Sequence, residues 1–449
     1  MTRKNSQLTY FLFIFIGLIF LSPETSLRAD EVVITISKQI KRKIRLTIVP
    51  TQSVSAESRN QAIEHELHSA LLFDLTHAGY FEIWPKKRLF TPPANKPFTP
   101  NQINYDYWLN QGTEFVLGSI YDTSTGKFEI FCYDIALRTL MYKQEGFFRA
   151  DTIRANIHAH SSSFIEQFSN GRPAISTSKI AYVQKDNTAK NIFYADYDGH
   201  SPHQITFGTT LNLYPKWAAD TPGLFFVSYR RDYPFIFFYN MMDKTLKTVS
   251  KQPGLNAFPV PSPDGSRIAA TLSLSGNPEI YVLSTYGNIL NRITYNPAVD
   301  SSPTWSPDGT HLAFVSDRSG TPQIYIVSAN GGPPTRITYH GNYNSSPDWN
   351  PIAGSNLIAY SSLYGKNAEL CIVDISTDRT TRLTTTLPSE EDPSWAPDGW
   401  HISYTLTQHY RSDIYFMDIR DRLPVRLTDG RGIYSSSSWQ KYPIYYKSK

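Results

Sequence analysis

Glu64-His65-Glu66-Leu67-His68 has the residue types of a zinc site, imidazoles flanked by carboxylates. A metalloprotease helix needs its two histidines four residues apart, so that both project from one face, with a glutamate after the first. Here they are three apart, and the segment reads as the solvated face of a helix. Asp196-Tyr197-Asp198-Gly199 spaces two carboxylates as a calcium loop does, without the later glutamate that completes one. Lying between two strand-like runs, it reads as a hairpin turn. No Gly-x-Ser-x-Gly elbow and no glycine-rich phosphate loop ending in lysine occurs in the 449 residues. No catalytic residue, no metal ligand and no cofactor is expected.

Lys38, Lys41, Arg42, Lys43 and Arg45 form a dense basic cluster between two strand-like runs. It reads as a solvated hairpin, with a weak contact to anionic headgroups or a partner's acidic face as the alternative. The formal net charge of +4 gives no nucleic-acid signature, so no nucleic acid is expected as a partner. Cys132 and Cys371 fall in different expected domains and make no disulfide framework; each reads as a small buried hydrophobe.

The elements that must position these residues announce themselves by repetition. Ser302-Pro303-Thr304-Trp305-Ser306-Pro307-Asp308-Gly309 reads as a short strand and a tight turn, followed by the strand Leu312–Val315. Proline fixes φ, aspartate bonds its own backbone and glycine tolerates positive φ. Equivalent positions are Trp217, Pro261, Trp305, Trp349, Trp395 and Trp439, at steps of 44, 44, 44, 46 and 44 residues. About four short strands per unit at this period is the mark of a β-propeller.

The ends of the array complement each other. Lys179–Val183, Asn191–Ala195 and His203–Thr206 supply strands two to four of a unit without a first, and Ser436–Gln440 supplies a first strand without a following unit. Six blades are expected, the last strand closing the first blade and removing two open edges. Propellers of this repeat type also occur as lids on serine peptidases of the prolyl-oligopeptidase kind, which need a further domain carrying Ser, Asp and His. With about ten residues after Trp439, that domain is expected to be absent.

Ahead of the repeats, residues 31–170 read as a compact α/β unit. Glu31–Ile36 and Ile44–Val49 alternate like strands, and Glu57–Ala78 is a helix ended by Gly79. Tyr80–Trp84 is a strand, Tyr105–Asn110 a short helix, and Glu114–Tyr121, Lys127–Ile135 and Thr139–Arg149 are strands. Asp151 is expected to cap a last helix reaching Phe168. Residues 1–29, with Arg3 and Lys4 before the apolar run Tyr10–Leu21, match a secretory leader, an uncleaved anchor helix being the alternative. The expected divisions are 1–29, 30–170 and 174–449.

With these parts in this order the chain resembles the TolB family of the Tol–Pal envelope system. The resemblance rests on Phe258–Gly265, Pro303–Gly309 and Pro393–Gly399, on Tyr325–Thr338, on Lys179–Val183 with Asp196–Gly199, and on Glu31–Ile34. It implies a non-enzymatic, monomeric periplasmic adaptor: a six-bladed β-propeller preceded by a small α/β domain, without cofactor. In that family the first residues after the leader engage the inner-membrane protein TolA, or dock between the two domains. Here those would be Glu31, Val32, Val33, Ile34 and Ile36. The propeller mouth would bind a Pal-like outer-membrane lipoprotein through Leu255, Asn256, Asp300, Ser301, Asn344, Ser345, Glu390 and Glu391. The implied role is linkage of the inner and outer envelope layers, for envelope integrity and outer-membrane invagination at division. The alternative is a periplasmic propeller binding a small ligand or glycan in its central channel. An aromatic-lined channel pocket would favour that alternative; a contiguous ring of polar loops would favour the adaptor.

Overall fold

The computed structural model describes residues 42–442 except 55–56, 58, 85–102, 148, 150–151, 187, 231–232 and 386–387. The expected leader, the strand at Glu31–Ile36 and the first two residues of the basic cluster lie outside the described residues.

The amino-terminal unit runs β1 (Ile44–Ile48), β2 (Gln52–Ser53), α1 (Gln61–Thr76), β3 (Phe81–Ile83), α2 (Tyr105–Asn110), β4 (Phe115–Asp122), β5 (Lys127–Asp134), β6 (Thr139–Phe147) and α3 (Ile153–Glu166). Its sheet has the order β3-β1-β4-β5-β6, with β2 on β4; β1 is parallel to both neighbours, and β4 to β6 form a meander. α1 begins later than expected because Asn60 caps it, its Oδ1 accepting from the amides of Ala62 and Ile63 at 3.0 and 3.3 Å. The cap position of α3 is Thr152, which makes no side-chain cap hydrogen bond; the expected cap, Asp151, lies outside the described residues. Trp108 of α2 packs with Val116 and Phe131 to form a small core of its own. Cys132 and Cys371 are free and buried.

From β7 (Lys179–Asp186), β8 (Ala189–Asp196) and β9 (His203–Gln204) onward the elements among the described residues are all strands. Four four-stranded meanders begin at Asn212, Asn256, Asp300 and Asn344, and an eight-stranded sheet joins the unit beginning at Ser389 to the closing strand Ile433–Trp439, β7, β8 and β9. The closing strand runs antiparallel to β7, with Trp439 opposite Ile180. Its ladder pairing with the preceding unit is a single bridge, Ser412 to Ile433. Divided there, the array consists of six four-stranded sets, consistent with the expected blade number. The blade holding β7 is the first, and the others follow in chain order.

Six apolar clusters, one between each pair of neighbouring blades, close the circle. Each second strand serves two of them. Leu312 and Phe314 face the third blade, while Ala313 and Val315 face the fifth. With period-two side chains and both faces buried, such strands read as continuous apolar runs rather than as alternation.

Each innermost strand is bulged at one equivalent place. Tyr214, Phe258, Ser302, Ser346, Asp392 and Ser436 all have φ between 49° and 55°, where the ladder register slips by one residue. Left-handed backbone costs a non-glycine residue roughly 1–2 kcal/mol. Proline follows in five of the six, and it has no amide proton to leave unpaired in the broken ladder. The Pro-Asp-Gly turns lie at the other end of the same strands. Asp308 accepts from the Thr310 amide at 3.0 Å and from Ser306 Oγ at 2.6 Å, bonds that lower its pKa to about 2, and Gly309 takes φ 68°.

Candidate partner-binding faces

His65 and His68 lie on α1, and burial followed by the charge of His65 lowers the pKa of His68. Among the described residues, no group of three or more His, Cys, Asp or Glu is placed to hold a metal ion. The described residues of the basic cluster are engaged: Arg42 reaches Glu114 at 2.6 Å, Lys43 reaches Asp421 at 2.9 Å, and the Arg45 guanidinium lies 5.0 Å from the Trp84 ring centre.

The Asp196–Gly199 turn joins the two domains. Tyr197 donates to Asp74 Oδ1 of α1 at 2.6 Å, and Arg154 Nε of α3 donates to Asp198 Oδ2 at 2.7 Å. Buried between these carboxylates is His158, with Nδ1 2.9 Å from Asp74 and Nε2 3.1 Å from Asp198. The second contact is an ion pair. Burial alone would lower the His158 pKa; the two carboxylates overcome it and raise it to about 10. Asp198 is held well below the ordinary carboxylate range, burial being outweighed by His158, His200 and Arg154. A second junction surrounds Trp400. Arg172 stacks over its ring at 4.6 Å and donates to the Asp398 carbonyl at 2.8 Å, and the Tyr80 ring packs on it at 5.3 Å.

Both junctions use turns between first and second or third and fourth strands, so the α/β unit covers that end of the propeller at the first and sixth blades. In a meander the loops entering the first strands lie at the opposite end, together with those joining strands two and three. This mouth end bears Phe207, Tyr233, Tyr295, Tyr339, Tyr343 and Tyr410, from 48% to 93% exposed.

The expected mouth residues divide into two groups. Asn256, Asp300, Asn344 and Glu390 are buried beneath the rim. Asn256 Nδ2 donates to the Gln252 carbonyl at 2.7 Å, Asn344 Nδ2 to Gln323 Oε1 at 2.8 Å, and Arg318 to Asp300 Oδ2 at 2.7 Å. They fasten the incoming loops to the inner strands. Ser301, Ser345 and Leu255 are half-buried and Glu391 is exposed, so these four lie nearer the surface.

The channel is narrow. A cavity of about 70 Å³ beneath the mouth is lined by Tyr214, Phe258, Ser302, Ser346, Asp392 and Lys216, and a lower one holds about 50 Å³. Small-molecule sites are commonly ~300–1,000 Å³. Residues after the closing strand turn into the lower cavity, where Lys441 Nζ meets Asp348 Oδ1 at 2.7 Å. A wider cleft of about 620 Å³ lies between domain and propeller, beside edge strand β3; Lys43, Phe81, Ile83, His401, Phe416 and Val425 contribute to its lining.

A family model described as the TolB beta propeller domain matches residues 166–443, and one described as the TolB amino-terminal domain matches residues 32–141. A Tol-Pal system protein TolB of Desulfosudis oleivorans is 29% identical over 258 residues, covering 57% of this chain and 58% of that relative. That of Alcanivorax borkumensis is 30% identical over 239 residues, covering 52% and 54%. The matches thus span a little over half the length of these curated relatives. The crystal structure of TolB from Acinetobacter baumannii is similar at a TM-score of 0.76 and 27% identity, covering 89% of this chain and 96% of that one.

Proposed function

The chain belongs to the TolB family, and from that premise we propose that it is a non-enzymatic periplasmic adaptor of the Tol–Pal system. Residues 1–29 act as its secretory leader. Its mouth end docks a Pal-like lipoprotein of the outer membrane, and Glu31–Ile36 engages a TolA-like protein of the inner membrane. By joining the two layers it supports envelope integrity and outer-membrane invagination at division.

The observation that carries this reading is the distribution of exposed aromatics. Six large rings stand on loops at the end of the propeller left open by the α/β unit. Large exposed rings gathered at one end of a protein suit an interaction site, where tyrosine is enriched. The channel cavities, at about 70 and 50 Å³, are small for a glycan or metabolite, which disfavours the ligand-binding alternative. The cleft beside β3 suits the other state of the amino-terminal segment, since an extended chain can add to an open sheet edge. Among the mouth residues, Leu255, Ser301, Ser345 and Glu391 are proposed to touch the lipoprotein, with Asn256, Asp300, Asn344 and Glu390 holding the loops beneath them.

The test is capture of the lipoprotein from envelope extract by immobilised mature protein, wild type against Tyr295→Ser with Tyr339→Ser. Retention by the wild type and a loss of about tenfold or more in the variant, at unchanged melting temperature, is expected. Equal retention by both would place the partner elsewhere.

A further inference from the structure

Lys216 is the unusual cation of the channel. It sits on the innermost strand of the second blade, two residues past left-handed Tyr214, and lines both the upper and the lower cavity. Its neighbour Lys441 is neutralised by Asp348, whose other oxygen accepts the Trp395 amide at 2.8 Å. Among the described residues, no hydrogen bond or ion pair engages the side chain of the half-buried Lys216. The Lys441 pKa is lowered, by burial first and in part by the charge of Lys216, which places the two ammonium groups within each other's field. The floor of the upper cavity therefore carries a positive charge that no ion pair among the described residues engages, Asp392 being the carboxylate that shares the lining.

Above that floor stand the hydroxyls of Ser302, Ser346 and Ser436, and at the same height the carboxylate of Asp392, which accepts from Ser346 Oγ at 2.8 Å. A volume of about 70 Å³ takes the end of one side chain. We propose that this well is a socket for a single carboxylate side chain of the docked partner, with Lys216 as its counter-ion and the hydroxyls of Ser302 and Ser436 as donors. The proposal rests on the mouth being a protein-binding face. A tethered carboxylate enters at high effective concentration, because the rest of the partner is already held outside. Asp392 weakens the hold on the inserted acid and repels any further one, so the inserted residue is one flanked by uncharged or basic neighbours.

The test uses the full mature chain with its lysines reductively dimethylated, which keeps their charge and gives each a methyl resonance. The Lys216 signal is assigned by its disappearance in Lys216→Arg. The probe is an acetylated Gly-Asp-Gly amide at millimolar concentration, beside the Gly-Asn-Gly amide and inorganic phosphate. A saturable shift of the Lys216 signal with the aspartyl peptide alone is expected, tightening in Asp392→Asn. No shift, an equal shift from the asparaginyl peptide, or an equal shift from phosphate would overturn the socket. In a second arm, Lys216→Met should weaken capture of the envelope lipoprotein about tenfold at unchanged melting temperature, while Lys216→Arg retains it. Undiminished capture by Lys216→Met counts against the socket. Absence of capture by the wild type counts against the mouth reading instead, and leaves the peptide titration to decide the socket.

Discussion

The indole N–H of Trp217 donates to the Ser438 carbonyl at 2.9 Å, across 221 residues of chain. The same bond recurs between other neighbouring blades, from Trp305 to the Val260 carbonyl and from Trp395 to the Asp348 carbonyl. What is local in sequence order elsewhere in the ring is here the link between its beginning and its end.

Trp217→Phe keeps most of the ring and removes the donor. Leaving the buried Ser438 carbonyl unpaired should cost about 1–3 kcal/mol. Trp439→Ala, which empties a site 1% exposed and also removes the 2.7 Å bond to Ser178 Oγ, should cost about 3–5 kcal/mol. Urea midpoints should fall in that order at unchanged slope. A Trp439→Ala midpoint equal to that of wild type would refute closure by the last strand.

The junction at His158 should make stability depend on pH. Its pKa, 6.5 unfolded, is about 10 when folded, so the stabilisation is full below pH 6.5 and is lost as pH rises through 10. Asp198 works in the opposite sense, present above the usual carboxylate range and lost in acid as it protonates. His158→Gln should be less stable than wild type at pH 6, with the two curves converging towards pH 10. Parallel curves would show that His158 carries no charge in the junction.

Acidic residues expected at the same mouth should behave differently. Asp300 is fully buried against Arg318, so Asp300→Asn leaves a mostly buried guanidinium without its carboxylate and should cost about 3 kcal/mol of stability. Exposed Glu391→Lys should leave melting unchanged and alter the association rate and salt dependence of lipoprotein binding. Calorimetry and stopped-flow mixing on both variants separate the two; a stability loss in Glu391→Lys alone would invert the assignment.

Deleting Glu31–Ile36 should abolish binding of a TolA-like partner and leave the fold intact, since terminal segments are weakly held unless docked. Lipoprotein binding should persist, or strengthen where docking of the segment opposes it. Loss of lipoprotein binding in the folded deletion variant would merge the two proposed sites into one.

The ring was legible in the sequence because its turn chemistry and its tryptophans recur with the blade. The mouth was less so. Asp300 and Ser301 are adjacent, yet successive strand residues point to opposite faces, and only the second approaches the surface. Loop position alone does not carry that parity. The junction was invisible for another reason: Asp74, His158 and Asp198 are far apart in the chain and meet only in three dimensions. One signal was available, since Asp74 interrupts the apolar stripe of α1 between Leu71 and Leu75, where a carboxylate must find a partner.

Strand closure also bears on biogenesis. The first blade obtains its innermost strand from residues 433–439, so no nascent chain can complete the ring until these have been delivered. A protein threaded unfolded through a membrane, amino terminus first, would cross with one edge of β7 still open and the propeller unclosed. Any product halted before that pairing forms would keep the edge bare, available to other chains.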